Sequence, residues 1–396
     1  MSDHAIAQAK IALAQLASLD ACDAGSHGEI VRQCQSVVDA LQNPLLVAGN
    51  LISSITMYPS LVALENLGVF QKLCQGPLSA AQIAQQTGAD HDLVVRLMRV
   101  AVSWGYIRET GPQSYASTAV SNVLAHPSFA AGLRYCHHLS KSTHYIPKFL
   151  KETNYRNPAS YEDGLFQYSF KTKLGQFQWT AAHPEHQRDF DMFMTIPRTT
   201  GAPWPTQFNV GKLIFEDGVD IDTTVPLFVD IGGGYGQDLH HLKSELQSLP
   251  YAVTKGQLVV EDQPSVIDDV PADMRDGDFT YVKHDFFNPQ PVQGARVYSF
   301  KTVLHNWADE KALQILRHTA ASFTPGYSKL WILDRVVPDT GADKVTSWQD
   351  MIMMATLGAL ERTEDQWTQL LAKAGLKINS IQTLADHFGL IEAVLE

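Results

Sequence analysis

The sequence predicts a two-part α/β protein, with a helical, winged-helix-like first part and a doubly wound parallel sheet in the last. Three observations predict this. Leu227-Phe-Val-Asp-Ile-Gly-Gly-Gly-Tyr-Gly236 reads as strand and glycine loop, and Gln237–Leu246 continues as a helix, the opening unit of a parallel sheet. From there apolar runs and helical stretches alternate to the end of the chain. Before residue 125 the apolar residues recur at helical spacing and end in a short hairpin pattern.

In chain order, residues 4–42 read as two helices broken near Gly25-Ser-His-Gly28, with apolar residues such as Ile6, Ile11, Leu13 and Leu16 recurring at helical spacing. Asn43-Pro44 interrupts, and helical segments run from Leu45 to Cys74. Ser79 can cap a short helix that Gly88 ends, and Asp90 can cap the next, through Val102. Trp104–Thr110 and Ser114–Ser117 form a hairpin, completing a winged-helix order. Its second helix carries Arg96 and Arg99 beside Asp90 and Asp92, so a packing or dimerisation module is favoured over a DNA reader. Residues 126–215 are helical and rich in aromatics and histidine. Strands follow at Leu227–Ile231, Gln257–Glu261, Phe279–Lys283, Arg296–Phe300 and Lys329–Asp334, with helices at Gln237–Leu246, Pro264–Asp269 and Asp309–Phe323. Helices Trp348–Leu357 and Glu364–Ala374 and strands Ile378–Thr383 and Leu390–Leu395 close the chain. The expected domains are 1–125, 126–215 and 216–396.

Composition narrows the function. With 396 residues, 45% of them hydrophobic, the chain has ample material for two cores. A formal net charge of −12 argues against nucleic acid and anionic membranes as partners. Four cysteines show no metal-ligand spacing, and adjacent His137-His138 diverge by about 100° on a helix, so no metal is expected. No secretory signal and no uninterrupted apolar run of about 20 residues appear, and a cytoplasmic protein is expected.

The glycine loop selects the ligand. A dinucleotide fingerprint needs glycine at first, third and sixth positions, and here the sixth position from Gly232 is Gln237. The loop suits a nucleoside without a pyrophosphate, S-adenosylmethionine (SAM) being the leading candidate. Asp262, 26 residues beyond Gly236, ends the second strand, where an acid commonly holds ribose hydroxyls; a solvated loop acid fits the spacing as well. Asp285 and Phe286 end the third strand and could bracket an adenine, or serve as a turn acid and a core ring. His305 stands just past the fourth, where a neutral imidazole can act as general base.

Together Leu227–Gly236, Asp262, Asp285-Phe286, Lys301, His305-Asn-Trp307 and Glu361-Arg-Thr-Glu364 resemble the caffeic acid type of class I SAM-dependent O-methyltransferases, with the fungal secondary-metabolism branch nearest in pattern. The resemblance runs from about Leu45 to the C-terminus. It implies an N-terminal dimerisation domain, a Rossmann-like catalytic domain and a homodimer acting on a small molecule. It implies that Gly232 and Gly234 lie against the methionine part of SAM, Asp262 on the ribose, Asp285 and Phe286 on the adenine, and Lys301 at the cofactor pocket. It further implies His305 as general base, Glu361 and Asp334 as the acids flanking it, and Phe190 and Met194 as the clamp on the acceptor ring. The family usually has aspartate where Asn306 stands and often glutamate where Asp334 stands. Similar fungal proteins include the SAM-dependent pericyclase of leporin biosynthesis, in which an arginine replaces the base histidine. Retention of His305 favours methyl transfer to a hydroxyl of an aromatic or polyketide-like molecule. Arg198 resembles a residue the pericyclases carry, and it keeps that alternative open.

Overall fold

A computed structural model describes residues 10–11, 13–14, 24–196, 203–249, 253–384 and 386–396, with the side chains of 24–29 and 32 left out. Ile6, Leu16 and Arg198 lie outside the described residues. The chain forms two compact units, Met1–His137 and His138–Glu396.

In the first unit, one helix, Ala24–Leu41, runs straight through Gly25 and Gly28, so the expected break at these glycines is absent. Glycine costs a helix interior about 1 kcal/mol, but both stand near its beginning, where fewer turns depend on them. Helices Pro44–Ser53, Met57–Asn66 and Val69–Cys74 follow. Ser79 caps helix Ala80–Thr87 in a reciprocal capping box with Gln82, and Gly88 closes it in the left-handed conformation. Asp90 caps helix His91–Ser103 through the Leu93 amide. Strands β1 (Leu78–Ser79), β2 (Ile107–Gly111) and β3 (Ser114–Ser117) form an antiparallel sheet in the order β1-β3-β2. The core joins Leu61, Leu64, Phe70, Ile83, Val94, Met98, Ile107 and Tyr115. The stretch Pro44–Asn66, 23 residues in length, is long and apolar enough to cross a membrane by length and composition alone. Its first half is exposed, with Leu45 81% and Ile52 78% accessible.

The second unit opens with short helices between Pro127–Glu152 and Val210–Phe215 and then builds the sheet. Its strands are β4 (Phe228–Ile231), β5 (Leu258–Asp262), β6 (Phe279–Lys283), β7 (Val297–Lys301), β8 (Lys329–Val337), β9 (Arg362–Thr363), β10 (Leu376–Thr383) and β11 (Phe388–Leu395). Their order is β10-β11-β8-β7-β4-β5-β6, with β9 paired to the end of β8. β4 to β8 are parallel; β11 lies antiparallel to β8, and β10 to β11. The period of two along each strand divides the core. Val229, Ile231, Leu330 and Ile332 face one apolar layer with helices Asp309–Ala320 and Glu364–Lys373; Phe228, Trp331 and Leu333 face another with helix Gln237–Gln247. Each large side chain so buried contributes about 1.5–3 kcal/mol.

The chain proceeds from β4 outward to β5 and β6, then returns to lay β7 on the other side of β4. This reversal is a topological switch point, and open α/β sheets bind ligands there, at the carboxyl ends of the strands. The glycine loop after β4 and Lys301 at the end of β7 flank it.

Candidate functional site

The glycine loop is shaped by close packing from below. Gly232, Gly234 and Gly236 all take positive φ, which costs any other residue strain. A Cβ on Gly232 would come 2.8 Å from Val303 Cγ2, and one on Gly233 2.8 Å from Asp230 Oδ2. Asp230 itself lies buried under the loop, and its Oδ2 has no partner among the described residues. Burial, followed by the negative charge of Asp238, pushes its carboxyl up to about 8. Asp262 reaches across from β5, and its Oδ2 accepts the Gly234 amide at 2.8 Å. Burial raises its pKa against the hydrogen bonds from Gln263 and Gly234. Lys301 turns to the first turn of the following helix, its ammonium 2.7 Å from both oxygens of Asp238. Asp238 also accepts the Trp204 indole at 3.0 Å.

Beyond β6, Asp285 accepts the Phe287 amide at 3.1 Å, and Phe286 sets its ring edge-on to Phe287 and Trp307. Beneath them Glu261 is fully buried and accepts from Gln290 at 2.9 Å and from His284 Nδ1 at 3.1 Å. Burial lowers the His284 pKa, but the Glu261 hydrogen bond and charge outweigh it and hold the ring above its ordinary value.

His305 is placed by a tight turn. After β7, Thr302 adopts φ +52°, a strained value for a β-branched residue, and its amide bonds to Leu333 O. The chain then enters a 3₁₀ turn, Leu304–Asn306. Strand neighbours supply the two acids: Asp334 from β8, and Glu361 from the residue before β9. His305 Nδ1 stands 2.7 Å from Glu361 Oε1 and 3.9 Å from Asp334 Oδ1, with all three side chains buried. A carboxylate can only accept, so Nδ1 carries the hydrogen and Nε2 is the lone-pair nitrogen. Such a ring can take a proton at Nε2 and share the resulting charge with the acid. Burial pushes the Glu361 carboxyl up, but the charge and hydrogen bond of His305, the Gln349 amide and Arg335 outweigh it and hold it low.

Gln349 and Arg335 were not legible as site residues. Arg335 Nε donates to Gln349 Oε1 at 3.0 Å, which turns the amide nitrogen into the His305–Glu361 pair, where the Glu361 carboxylate, and not the protonated Nδ1, is its acceptor. Asp350 accepts the Glu361 amide at 2.9 Å. No local motif marks either position, because contact arises from helix Lys344–Leu357 packing onto the turn. Asp238 did carry a signal, standing at the first helical turn after the glycine loop. Asn306 faces its own backbone and donates to Thr302 O at 3.2 Å. Phe190 and Met194 share one face of helix Pro184–Met194, both half-buried, with the Phe190 ring 6.1 Å from Phe177. Burial first, and then the charge of Asp191 on this helix, raises the Tyr235 phenol of the glycine loop.

A family model for the O-methyltransferase domain matches residues 210–377, and one for the O-methyltransferase dimerisation domain matches 50–127. Demethylsterigmatocystin 6-O-methyltransferase of Aspergillus flavus is 33% identical over 359 residues, covering 88% of each chain. The chain belongs to the O-methyltransferase family. O-methyltransferase penC of Penicillium thymicola is 32% identical over 95% of this methyltransferase and 93% of its own length. The structure of LepI in complex with SAM matches with a TM-score of 0.85 at 28% identity over 99% of both chains. A structure described as a pericyclic reaction enzyme matches at 0.83 and 27% over the whole of both. The protein is a SAM-dependent O-methyltransferase of secondary metabolism, with a Rossmann-like catalytic domain. Its residues fit that cofactor: a glycine cradle with no room for a side chain beneath Gly232 and Gly233, an acid at the end of β5 and a ring just past β6.

Proposed function

We propose that this methyltransferase methylates a phenolic hydroxyl of an aromatic, polyketide-like acceptor, with His305 as general base. One observation carries the reading: the buried His305–Glu361 contact of 2.7 Å at the carboxyl end of β7, next to the switch point. The name of the Aspergillus flavus relative supports the acceptor class.

Bound SAM supplies a methyl group on a sulfonium, electrophilic without a metal. Gly232 and Gly234 would admit its methionine part, Asp262 would bind the ribose hydroxyls, Asp285 and Phe286 would flank the adenine, and Lys301, held by Asp238, would close the pocket wall. Phe190 and Met194 grip the acceptor ring, and Asn306 and Arg198 are further acceptor contacts. A phenol with pKa near ~10 is mostly protonated at neutral pH. His305 Nε2 takes that proton as the oxygen attacks, which contributes about 10²–10⁴ in rate. Glu361, with Asp334 behind it, stabilises the imidazolium. The rest of the acceleration comes from holding the two reactants in line in a dry pocket. We assign residues 1–125 to dimerisation, 126–215 to the acceptor pocket and 216–396 to catalysis. The exposed apolar helix Pro44–Ser53 supplies part of a homodimer surface, and the enzyme works in the cytoplasm.

The likeness to a pericyclic reaction enzyme favours one alternative, in which SAM is bound and not consumed. Stoichiometry separates the two. With demethylsterigmatocystin and related phenols as first acceptors, mass spectrometry should find one methylated product per SAM lost. His305→Ala should abolish turnover while leaving calorimetric SAM affinity nearly intact. Product of unchanged or dehydrated mass, formed with SAM intact, establishes the alternative.

A further inference from the structure

The turn that carries His305 is gripped from behind by a guanidinium. Arg362 is completely buried. Its Nη1 donates to Leu304 O at 3.1 Å and its Nη2 to Trp307 O at 2.8 Å. Its Nε and Nη2 donate to Asp309 Oδ1 at 3.0 and 2.8 Å, and its carbon lies 5.0 Å from the centre of the Trp367 ring. Leu304 and Trp307 bracket the pair His305-Asn306, so the fork holds the turn at both ends. Asp309 begins helix Asp309–Ala320, which anchors the fork to a rigid element. The residue before Arg362 is Glu361, which holds the imidazole. Consecutive residues of an extended chain point to opposite sides. One dipeptide therefore grips the ring with its first side chain and the backbone beneath that ring with its second.

We infer that Arg362 is a positioning residue for proton transfer: it fixes the 304–307 turn so that His305 Nδ1 meets Glu361 and Nε2 is kept as the proton acceptor. The inference rests on the base role proposed above for His305. The geometry demands arginine. A planar fork spans two carbonyls and a carboxylate at once, whereas the ammonium of lysine is a point donor on a flexible stem. Without the fork, the carbonyls of Leu304 and Trp307 lose donors and the turn is free to rotate the imidazole away from Glu361. The ring then exchanges between its two neutral tautomers, one of which carries its proton on the nitrogen that must accept one.

The test reads the tautomer directly and needs no acceptor. The full-length protein is labelled with ¹⁵N-histidine, saturated with S-adenosylhomocysteine and observed at alkaline pH, where imidazoles are neutral. The His305 signals are identified by their loss in His305→Gln. The wild type should show one His305 tautomer, protonated at Nδ1. Arg362→Lys, which keeps the charge and removes the fork, should lose that single signature and show both tautomers. A folded Arg362→Lys protein with the wild-type signature overturns the inference. Should this variant fail to fold, Asp309→Asn keeps Arg362 and loosens its anchor. A second tautomer there supports the inference, and an unchanged signature overturns it. A wild-type ring protonated at Nε2 would instead overturn the base role itself, a failure distinguishable from that of Arg362. A purely structural contribution of Arg362 would lower the melting temperature and leave the tautomer unmoved.

Discussion

Glu361→Gln isolates the charge behind the base. The substitution keeps size and a hydrogen-bond acceptor and removes one negative charge 2.7 Å from His305 Nδ1. At an effective dielectric of roughly 20, a full positive charge at that distance is stabilised by about 6 kcal/mol. In the proposed mechanism the imidazole enters the proton transfer neutral and acquires its charge as the proton moves. If about half of that charge has developed in the transition state, the carboxylate lowers the barrier by about 3 kcal/mol, close to 10² in kcat. The gain arises in the transition state alone, so kcat falls while KM for SAM stays within about twofold.

S-adenosylhomocysteine formation at saturating SAM and acceptor measures kcat, and calorimetry with S-adenosylhomocysteine checks that the cofactor site is intact. Asp334→Asn is the internal comparison. Its oxygen lies 3.9 Å from Nδ1, and its loss should cost less than that of Glu361. A kcat for Glu361→Gln within about threefold of wild type would refute the electrostatic account. So would an Asp334→Asn loss larger than that of Glu361→Gln, because distance then would not rank the two acids.

Two further outcomes follow from the cofactor side of the sheet. Asp262→Ala should weaken SAM binding at least about tenfold, or about 1.4 kcal/mol, since the carboxylate is lost from the proposed ribose position and the Gly234 amide loses its acceptor; unchanged calorimetric affinity removes Asp262 from the site. His284 is held above its ordinary pKa, so its protonated form is favoured by folding. Its contribution is fully present below the unfolded value of about 6.5 and is lost as pH rises through the folded value. Melting temperatures should therefore show wild type exceeding His284→Gln at low pH, with the gap closing on the alkaline side. A gap that widens with pH would contradict the Glu261–His284 pairing.

The two halves of the site were unequally visible in the sequence. The positions of the proposed cofactor half were legible because each of its residues follows a strand directly: Gly232 after β4, Asp262 at the end of β5, Asp285 after β6 and Lys301 at the end of β7. Period-two apolar runs mark strands, and a parallel sheet aligns the carboxyl ends of all of them on one edge. Position in the chain therefore translated into position in space. The same logic misjudged Gly25 and Gly28, which entered a helix because glycine near a helix start costs little. Lys301 could be placed, but its bond to Asp238 could not be foreseen, since the partner is set by how helix Gln237–Gln247 leans on the sheet.

In the proposed proton-transfer half, His305 was legible from its place after β7, but its two acids were legible by family resemblance alone, and the reason is topological. His305 and Glu361 are 56 positions apart, and they meet because β9 adds in parallel to the far end of β8, pairing Val336 with Arg362. That two-residue strand has no periodicity to read. It nonetheless fixes the register of two adjacent functional side chains, one for the imidazole and one for the backbone of the turn. Slipping β9 by one residue would put either Arg362 in the place of Glu361 or Glu361 in the place of Arg362. The first removes the acceptor that holds the imidazole, and the second sets a carboxylate against two carbonyls. The polarity of the site thus enforces the register of the strand, and the strand enforces the geometry of the base. Around His305, folding specificity and the proposed proton-transfer geometry rest on the same pair of residues.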